Sequence, residues 1–310
     1  MDLINKTTLD LLREISDLQN GAPEFAAYNI RQDSGCAGRR STKNISITSK
    51  TDKPGIDIRI KAGTKGESVY IPACITKSGV DDLVYNDFFV GEGADVTIVA
   101  GCGVHTEGEE QSQHNGIHRF FLEKGARVLY LEKHLGEGSG RGGRVINPET
   151  EVHLGEDSYL EMETSQIRGV DSTIRKTSGE VGPRAKLVVR EKIMTHNDQY
   201  AETNFDVELS GEDSAADVIS RSVARGSSKQ QFNLKLTGSN RCAGHSACDA
   251  IIMDSGTVAA IPMLTAAHVD AALIHEAAIG KIAGEQLTKL MTLGLTAEEA
   301  EAKIIEGFLK

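Results

Sequence analysis

The chain has 310 residues, of which 39% are hydrophobic and 25% are charged, and these values are typical of a globular protein with one or two domains and a sizeable core. Its formal net charge of −11 disfavours nucleic acid and anionic membranes as main partners, because an acidic surface repels phosphate groups. No apolar stretch approaches the roughly 18 residues of a membrane span, and the first residues lack the basic start and apolar run of a signal peptide, so we expect a cytoplasmic protein.

The first predicted element is an amphipathic helix within residues 1–22. Gly21 and Pro23 are expected to end it, because neither residue continues a helix well. The simplest interpretation is a helix packed on the body of the fold. Its apolar residues recur at near-helical spacing: Leu3, Ile4, Leu11, Leu12, Ile15 and Leu18.

Residues 23–272 form a predicted β core. Short β-rich runs, such as those at 44–48, 56–60 and 96–99, alternate with Gly, Asp and Asn. Aromatic residues make up only 5% of the chain, which has no Trp and 32 Gly. Few large side chains and many glycines suit thin, repeated layers better than one thick core.

A weak internal repeat runs through this β core. Each copy has an apolar run, a turn with Gly or Asp, and then a small residue, with copies 27–32 residues apart. No single layer buries its own apolar face, so the layers must stack. A parallel β-helix satisfies this requirement, whereas a β-sandwich has no reason to repeat its turn at near-constant spacing. The small residues are Ala94, Ala126, Ser158, Ala185 and Ser214.

Three motifs of nucleotide and hydrolase sites are missing from the sequence. The Gly-rich loop at 136–144 lacks the Gly-Lys-Ser/Thr ending and the strand-to-helix context of a phosphate loop. The chain has neither a Gly-x-Ser-x-Gly elbow nor a His-Glu-x-x-His helix. An autonomous hydrolase is therefore disfavoured.

Residues 273–310 are predicted to form a C-terminal helical hairpin. Gly294 suits the position that follows a helix, and Thr296 opens a capping-box pattern with Glu299. The hairpin either packs on the β body or is offered to a partner. Apolar residues of its first helix lie close to one face: Leu287, Leu290, Met291 and Leu293.

The densest group of soft metal ligands is the segment 242–248. Thiolate and imidazole suit iron, iron–sulfur clusters or zinc. If the segment is extended, Cys242 and Cys248 share one face and His245 points to the other. Small buried thiols are the alternative explanation. The five cysteines are odd in number and mostly scattered, which favours free thiols or metal ligands over a disulfide framework.

Two further groups of polar residues are candidates. His268 and the pair His275-Glu276 form one group, and adjacent residues of a strand point to opposite faces. His105, His114 and His118 form the other. A loop of solvated histidines explains the second group equally well.

Several motifs of the last quarter of the chain occur in a fixed order. Together, over about 242–310, they resemble the C-terminal part of the SufB/SufD family of iron–sulfur cluster assembly proteins. The β-rich middle agrees in character. The motifs are Gly244-His245-Ser246, Cys248-Asp249, His275-Glu276-Ala277, Ile279-Gly280-Lys281-Ile282, Gly284-Glu285-Gln286-Leu287, Leu293-Gly294-Leu295 and Ile305-Glu306-Gly307-Phe308.

The resemblance implies a right-handed parallel β-helix with a helical C-terminal segment, and subunits that pair through their β-helix ends. A transient iron–sulfur cluster would form at that interface, where Cys248 matches the family's Cys-Asp position and His275 and Glu276 match its His-Glu positions. Cys242 and His245 are added from local chemistry. The positions implied to contact a SufC-like ABC-type ATPase are Gly284, Glu285, Leu287, Leu290, Gly294 and Phe308.

The chain is short for this family, so we expect a compact member. The resemblance implies a scaffold and not an enzyme, with ATP hydrolysis in a separate partner subunit. The scaffold would work as a homodimer or with a SufB/SufD paralogue, and would receive sulfur from a donor protein. Cys102 is the remaining candidate for the entry cysteine. One alternative is a structural adaptor of the ATPase complex without a cluster of its own. Another is a β-helix enzyme that acts on polysaccharide, which the helical tail disfavours.

Overall fold

The computed structural model describes residues 5–19 and 21–310. It is 58% strand and forms a parallel β-solenoid of about eight turns, which confirms the predicted β-helix. The strands are β1 (Ala27–Gln32), β2 (Gly35–Arg40), β3 (Ile45–Ser49), β4 (Gly55–Ile60), β5 (Lys65–Ile75), β6 (Asp81–Val90), β7 (Asp95–His105), β8 (Ser112–Leu122), β9 (Arg127–Glu137), β10 (Arg144–Ile146), β11 (Glu149–Leu154), β12 (Tyr159–Arg168), β13 (Ser172–Val181), β14 (Lys186–Thr195), β15 (Tyr200–Leu209), β16 (Ser214–Ala224), β17 (Lys229–Gly238), β18 (Cys242–Ile252), β19 (Thr257–Ala266) and β20 (Ala271–Gly280).

Each full turn contributes one strand to each of two facing sheets. Sheet A has the order β2-β1-β5-β7-β9-β12-β14-β16-β18-β20, and sheet B runs from β3 through β4, β6, β8, β10 and β11, β13, β15 and β17 to β19. Neighbouring strands are parallel, except for the antiparallel pairs β1–β2 and β3–β4 at the first end. The side chains that point between the sheets fill the lumen of the solenoid.

The repeated small residue marks one corner of each of five successive turns. Ala94, Ala126 and their counterparts are at most 1% exposed, and each donates its backbone N–H to the residue three positions earlier. The N–H of Arg127 bonds the carbonyl of Ala94 at 2.8 Å, and that of Tyr159 bonds the carbonyl of Ala126 at 2.8 Å. A larger side chain would obstruct this close stacking, so the sequence repeat reflects the layer geometry.

The N-terminal helix α1 (Lys6–Ser16) packs on the outside of sheet A. The Asn5 side chain caps it by accepting the N–H of Thr8. It ends earlier than the predicted boundary at residue 22, because Asp17 adopts a left-handed conformation with φ of 57°. The predicted apolar residues Leu3 and Ile4 lie outside the described residues. The helix buries Leu11, Leu12 and Ile15.

The C-terminal hairpin consists of α2 (Gly284–Thr292) and α3 (Ala297–Phe308), and the predicted capping box of Thr296 and Glu299 is present. Residues 273–280, which are predicted to belong to the helical segment, lie in strand β20 instead. Their parallel pairing with β18 is a nonlocal contact that overrides the helix preference of an Ala-rich run. No helix in the described part of the chain is long and apolar enough to cross a membrane.

Candidate functional site

The five predicted ligands lie on β18 and β20, the last two strands of sheet A. The side chains of Cys242, Cys248 and His275 face the lumen, while those of His245 and Glu276 face outward. Alternation along each strand causes this division, as the sequence predicted. The ligands therefore form an inner group and an outer group on opposite faces of one sheet.

The inner group combines buried thiols with an uncharged imidazole. Cys248 is 1% exposed and Cys242 is 5% exposed. Burial raises the pKa of Cys248 to about 12, and the charges of Glu191 and Asp249 act in the same direction. Burial likewise lowers the pKa of His275. In the absence of a metal cation, these groups are therefore a neutral thiol and a neutral imidazole at pH 7.

His275 has one ring nitrogen engaged and one unsatisfied. Its Nδ1 shares a hydrogen bond of 2.7 Å with the hydroxyl of Ser246. Its Nε2 is buried and has no hydrogen-bond partner in the described structure. A buried nitrogen of this kind is suited to a ligand that the chain itself does not supply.

The outer group is an ordered chain of charges. Arg190 donates a hydrogen bond of 2.6 Å to Asp217, which is 2.8 Å from Nδ1 of His245. Burial acts to raise the pKa of Asp217, but the hydrogen bonds from His245 and Arg190 outweigh it and lower the pKa. The Nε2 of His245 consequently points away from Asp217 and lies 3.9 Å from a carboxylate oxygen of Glu276. A carboxylate on Nδ1 is how proteins orient a metal-binding histidine.

Neither group forms a complete metal site within one chain. Among the described residues, no three or more His, Cys, Asp or Glu side chains are placed to hold one metal ion. The resemblance implied that these residues act together. In one chain they form two separate half-sites, the inner group and the outer group.

The two halves lie at an open end of the solenoid. β19 and β20 are the terminal strands of their sheets, so each has one free edge. This end exposes large apolar side chains that would ordinarily be covered. The most exposed are Ile261 (54%), Met263 (58%), Val269 (92%) and Ile274 (56%).

A buried polar column in the lumen was not identified from the sequence. On sheet A it contains Glu132, Thr164, Glu191 and Ser220, and it continues to Cys248 in strand register. Each member lies six residues after the small residue of its corner, as Cys248 lies six after Cys242. Counting from the repeated turn would therefore have revealed this column.

Arg175 of sheet B bridges two carboxylates of this column. Its guanidinium lies 3.0 Å from Glu132 and 3.3 Å from Glu191, and it also bonds His134 at 3.1 Å. The Glu191 carboxylate further accepts hydrogen bonds from Thr203 at 2.9 Å and Ser220 at 2.7 Å. The charges are thus paired and hydrogen-bonded, as buried charges must be.

Most of the remaining candidates are also buried. His114 and His118 lie in the lumen, 6% and 7% exposed, which contradicts the solvated-loop interpretation. His105 pairs with Glu107 at 3.0 Å near a corner. Cys102 is 2% exposed, and burial raises its pKa well above the ordinary value. It is therefore inaccessible to a donor protein in this conformation.

His118 provides a test of the lumen through pH. The amide of Asn86 donates to its Nε2 at 3.3 Å, so Nδ1 carries the proton and donates to Tyr130 at 2.6 Å. Burial lowers the pKa of His118 to about 4, below the ordinary value of about 6.5. As pH falls from about 6.5 towards 4, the unfolded chain takes up a proton that the folded chain does not, so stability is lost.

Because folded His118 resists protonation, we expect the free energy of unfolding of the wild type to fall by about 2 kcal/mol between pH 7 and pH 5. His118→Asn retains a donor to Tyr130 but does not titrate. Between pH 7 and pH 5 its free energy of unfolding should therefore fall by about 2 kcal/mol less than that of the wild type. Chemical denaturation at both pH values measures the difference. His153→Asn is the matched control, because His153 lies on the outer face. If both variants change the pH dependence of the unfolding free energy equally, that dependence does not come from His118.

The residues predicted to contact an ATPase are spread over the C-terminal hairpin. Gly284, Glu285 and Gly294 are exposed, and Leu287, Leu290 and Phe308 are half-buried. Helix α2 buries none of its residues. Helix α3 packs Ile305 and Phe308 near Val223 and Ile251 of the solenoid. The hairpin therefore combines an uncovered helix with one anchored to the last turns.

Comparison with known proteins matches residues 84–308 to the family model described as SUF system FeS cluster assembly, SufBD core domain. A protein of Methanothermobacter thermautotrophicus named iron-sulfur cluster assembly SufBD family protein is 30% identical over 82% of this chain, which spans 62% of that protein. A protein of the same name from Archaeoglobus fulgidus is 28% identical, with 84% of this chain and 69% of that protein covered. A Pyrococcus horikoshii relative is 25% identical over 83% and 82%.

Proposed function

Because the chain belongs to the SufBD family of iron–sulfur cluster assembly proteins, we propose that it is a scaffold subunit that holds a nascent cluster at a β-helix dimer interface. The cluster is cargo, built and passed on. The observation that carries the proposal is the position of the split ligand set: Cys248, His275, His245 and Glu276 all lie on the two strands beside the open end.

A second copy of the chain is the partner that suits this end. The free edges of β19 and β20 and their exposed apolar side chains are features of a surface that associates. In a homodimer two sets of ligands would face one another, so that each half-site is supplemented from the partner. A SufB/SufD paralogue would serve the same role in a heterodimer.

The thiols bind iron only after they lose a proton. The incoming iron cation supplies the charge that makes a buried thiolate acceptable. Cys248 would be the principal ligand, with His275 beside it in the lumen. Glu276 and the oriented His245 would bind iron from the outer face, and Cys242 lies at the corner of the same layer. A separate donor protein would supply the sulfur.

Nucleotide binding by a SufC-like ABC-type ATPase would reach the site through the hairpin. Gly284, Glu285, Leu287, Leu290, Gly294 and Phe308 would form the contact region. Helix α3 is connected to the solenoid by apolar packing against Val223 and Ile251 and by the ion pair of Glu301 with Arg225 at 3.1 Å. A movement of the hairpin would therefore pull on β16 and β18 and open the sealed layer around Cys248.

Anaerobic reconstitution with ferrous iron and sulfide tests the ligand assignment. We expect Cys248→Ser to abolish most of the visible absorbance of the cluster, because the substitution removes the principal thiolate. Cys36→Ser is the matched control, since Cys36 is exposed and lies at the other end of the solenoid. Undiminished absorbance in Cys248→Ser would remove this residue from the site.

A structural adaptor without a cluster is the second candidate. The observation in its favour is the burial of Cys248, which is 1% exposed in the single chain. An adaptor would bind the ATPase tightly and remain colourless after anaerobic reconstitution. The scaffold would acquire iron and sulfide in stoichiometric amounts, so analysis of bound iron and acid-labile sulfide separates the two functions.

A further inference from the structure

The end of the solenoid opposite the candidate site carries a concentrated positive charge. Between residues 37 and 65 there are eight Lys and Arg but only two Asp and Glu, in a chain with a net charge of −11. These residues belong to β2, β3, β4 and their connections, the first strands of both sheets. We refer to this surface as the basic cap. Its cations are Arg39, Arg40, Lys43, Lys50, Lys53, Arg59, Lys61 and Lys65.

The cap is one surface contributed by both sheets. Arg39 of β2 donates a hydrogen bond of 2.7 Å to Ser49 of β3. The ammonium group of Lys61 donates to the carbonyl of Lys43 at 2.6 Å. These contacts join the strands of the two sheets at this end, so their charges act together.

Few of these cations are neutralised within the chain. Lys50 is paired with Asp57 and Asp87, and Arg59 lies 3.5 Å from Asp57. Lys43, Lys61 and Lys65 are exposed and have no carboxylate within ion-pair distance in the described part of the chain. Their charge is therefore available to a ligand.

Protection of the solenoid end does not account for this pattern. A terminal turn needs a polar outer surface, and lysines on edge strands discourage aggregation. Interspersed charges of both signs in equal number meet these needs, whereas an excess of one sign creates a long-range field that steers a partner of opposite charge. The cap also lies outside residues 84–308, the part that matches the family core domain.

We propose that the basic cap is a docking surface for the acidic face of another protein. A protein is favoured over nucleic acid because the rest of the chain is strongly acidic and would repel a long phosphate backbone. The cap is at the opposite end from β19 and β20. A partner bound there would leave both the proposed dimer interface and the C-terminal hairpin free, and the inference does not depend on the proposed function.

The test uses the intact, unlabelled chain, because Cys36, the one exposed cysteine of the five, lies in β2 within the cap. A short oligo-L-glutamate that carries a fluorophore serves as the acidic probe, and the anisotropy of this peptide reports its binding. We expect binding that weakens as salt is added, because exposed charges are screened. Lys61→Glu/Lys65→Glu should raise the dissociation constant about tenfold.

Lys186→Glu/Lys229→Glu is the matched control, since both lysines are exposed on other turns and the change in net charge is the same. It should alter binding by less than about twofold. Absence of binding at low salt, or an equal loss in the two double variants, would overturn the proposal. Tighter binding of a duplex DNA of equal charge would also overturn it.

Discussion

Replacing Arg175 with Met is expected to lower the free energy of unfolding by about 3–5 kcal/mol. Arg175 is 6% exposed and is the shared partner of Glu132 and Glu191, which are 4% and 3% exposed. Burial acts to raise the pKa of the Glu132 carboxyl, but His134 and then Arg175 outweigh it and keep that pKa well below its usual range. Without the guanidinium, two carboxylates would remain in the lumen with too little positive charge beside them.

Urea denaturation at pH 7 measures this loss. Arg184→Met is the control, because the Arg184 guanidinium is solvent-exposed beside Glu156 and Asp157 and exposed ion pairs contribute little. Adding Glu132→Gln to Arg175→Met should restore part of the stability by removing one uncompensated charge. A loss below about 1 kcal/mol for Arg175→Met would contradict the view that Arg175 holds the column together.

Introducing Glu at both Ile261 and Ile274 is expected to raise the dissociation constant of the homodimer at least about 100-fold. These side chains are 54% and 56% exposed in the single chain and lie on β19 and β20. In the proposed dimer they become buried, and a carboxylate at each position would have to lose its hydration without a partner. Sedimentation equilibrium over a range of protein concentrations measures the change.

Ile174→Glu is the matched control, because Ile174 is 39% exposed on a middle strand, away from the open end. It should leave the dimer intact. If the double variant associates as tightly as the wild type, the open end is not the interface. The ligands on β18 and β20 would then not be supplemented by a second copy of the chain.

The architecture was predictable from local patterns because the same physical constraint recurs in every turn. The small corner residues, such as Ala94 and Ala126, repeat at near-constant spacing because a larger side chain would prevent the next layer from stacking. Strand alternation alone predicts that Cys248 and His245 lie on opposite faces. Both inferences depend only on neighbours within one repeat.

Features that depend on pairing between repeats were less accessible. β20 has an Ala-rich sequence, and only its ten-residue register with β18 makes it a strand. To recognise the column from Glu132 to Cys248, strands about 30 residues apart must be aligned with one another. The small corner residue of each turn would have given this alignment. The position of Arg175, in the facing sheet, follows no repeat that the sequence displays. It depends on the three-dimensional closure of each turn.

The most direct test of the scaffold proposal is the Mössbauer spectrum of the chain purified anaerobically after co-expression with the proposed SufC-like ATPase. We expect the signal of an iron–sulfur cluster bound to the dimeric complex, and its loss when Cys248 is replaced by Ser. A correctly assembled complex that contains no such cluster would contradict the scaffold role and assign the chain to the adaptor function.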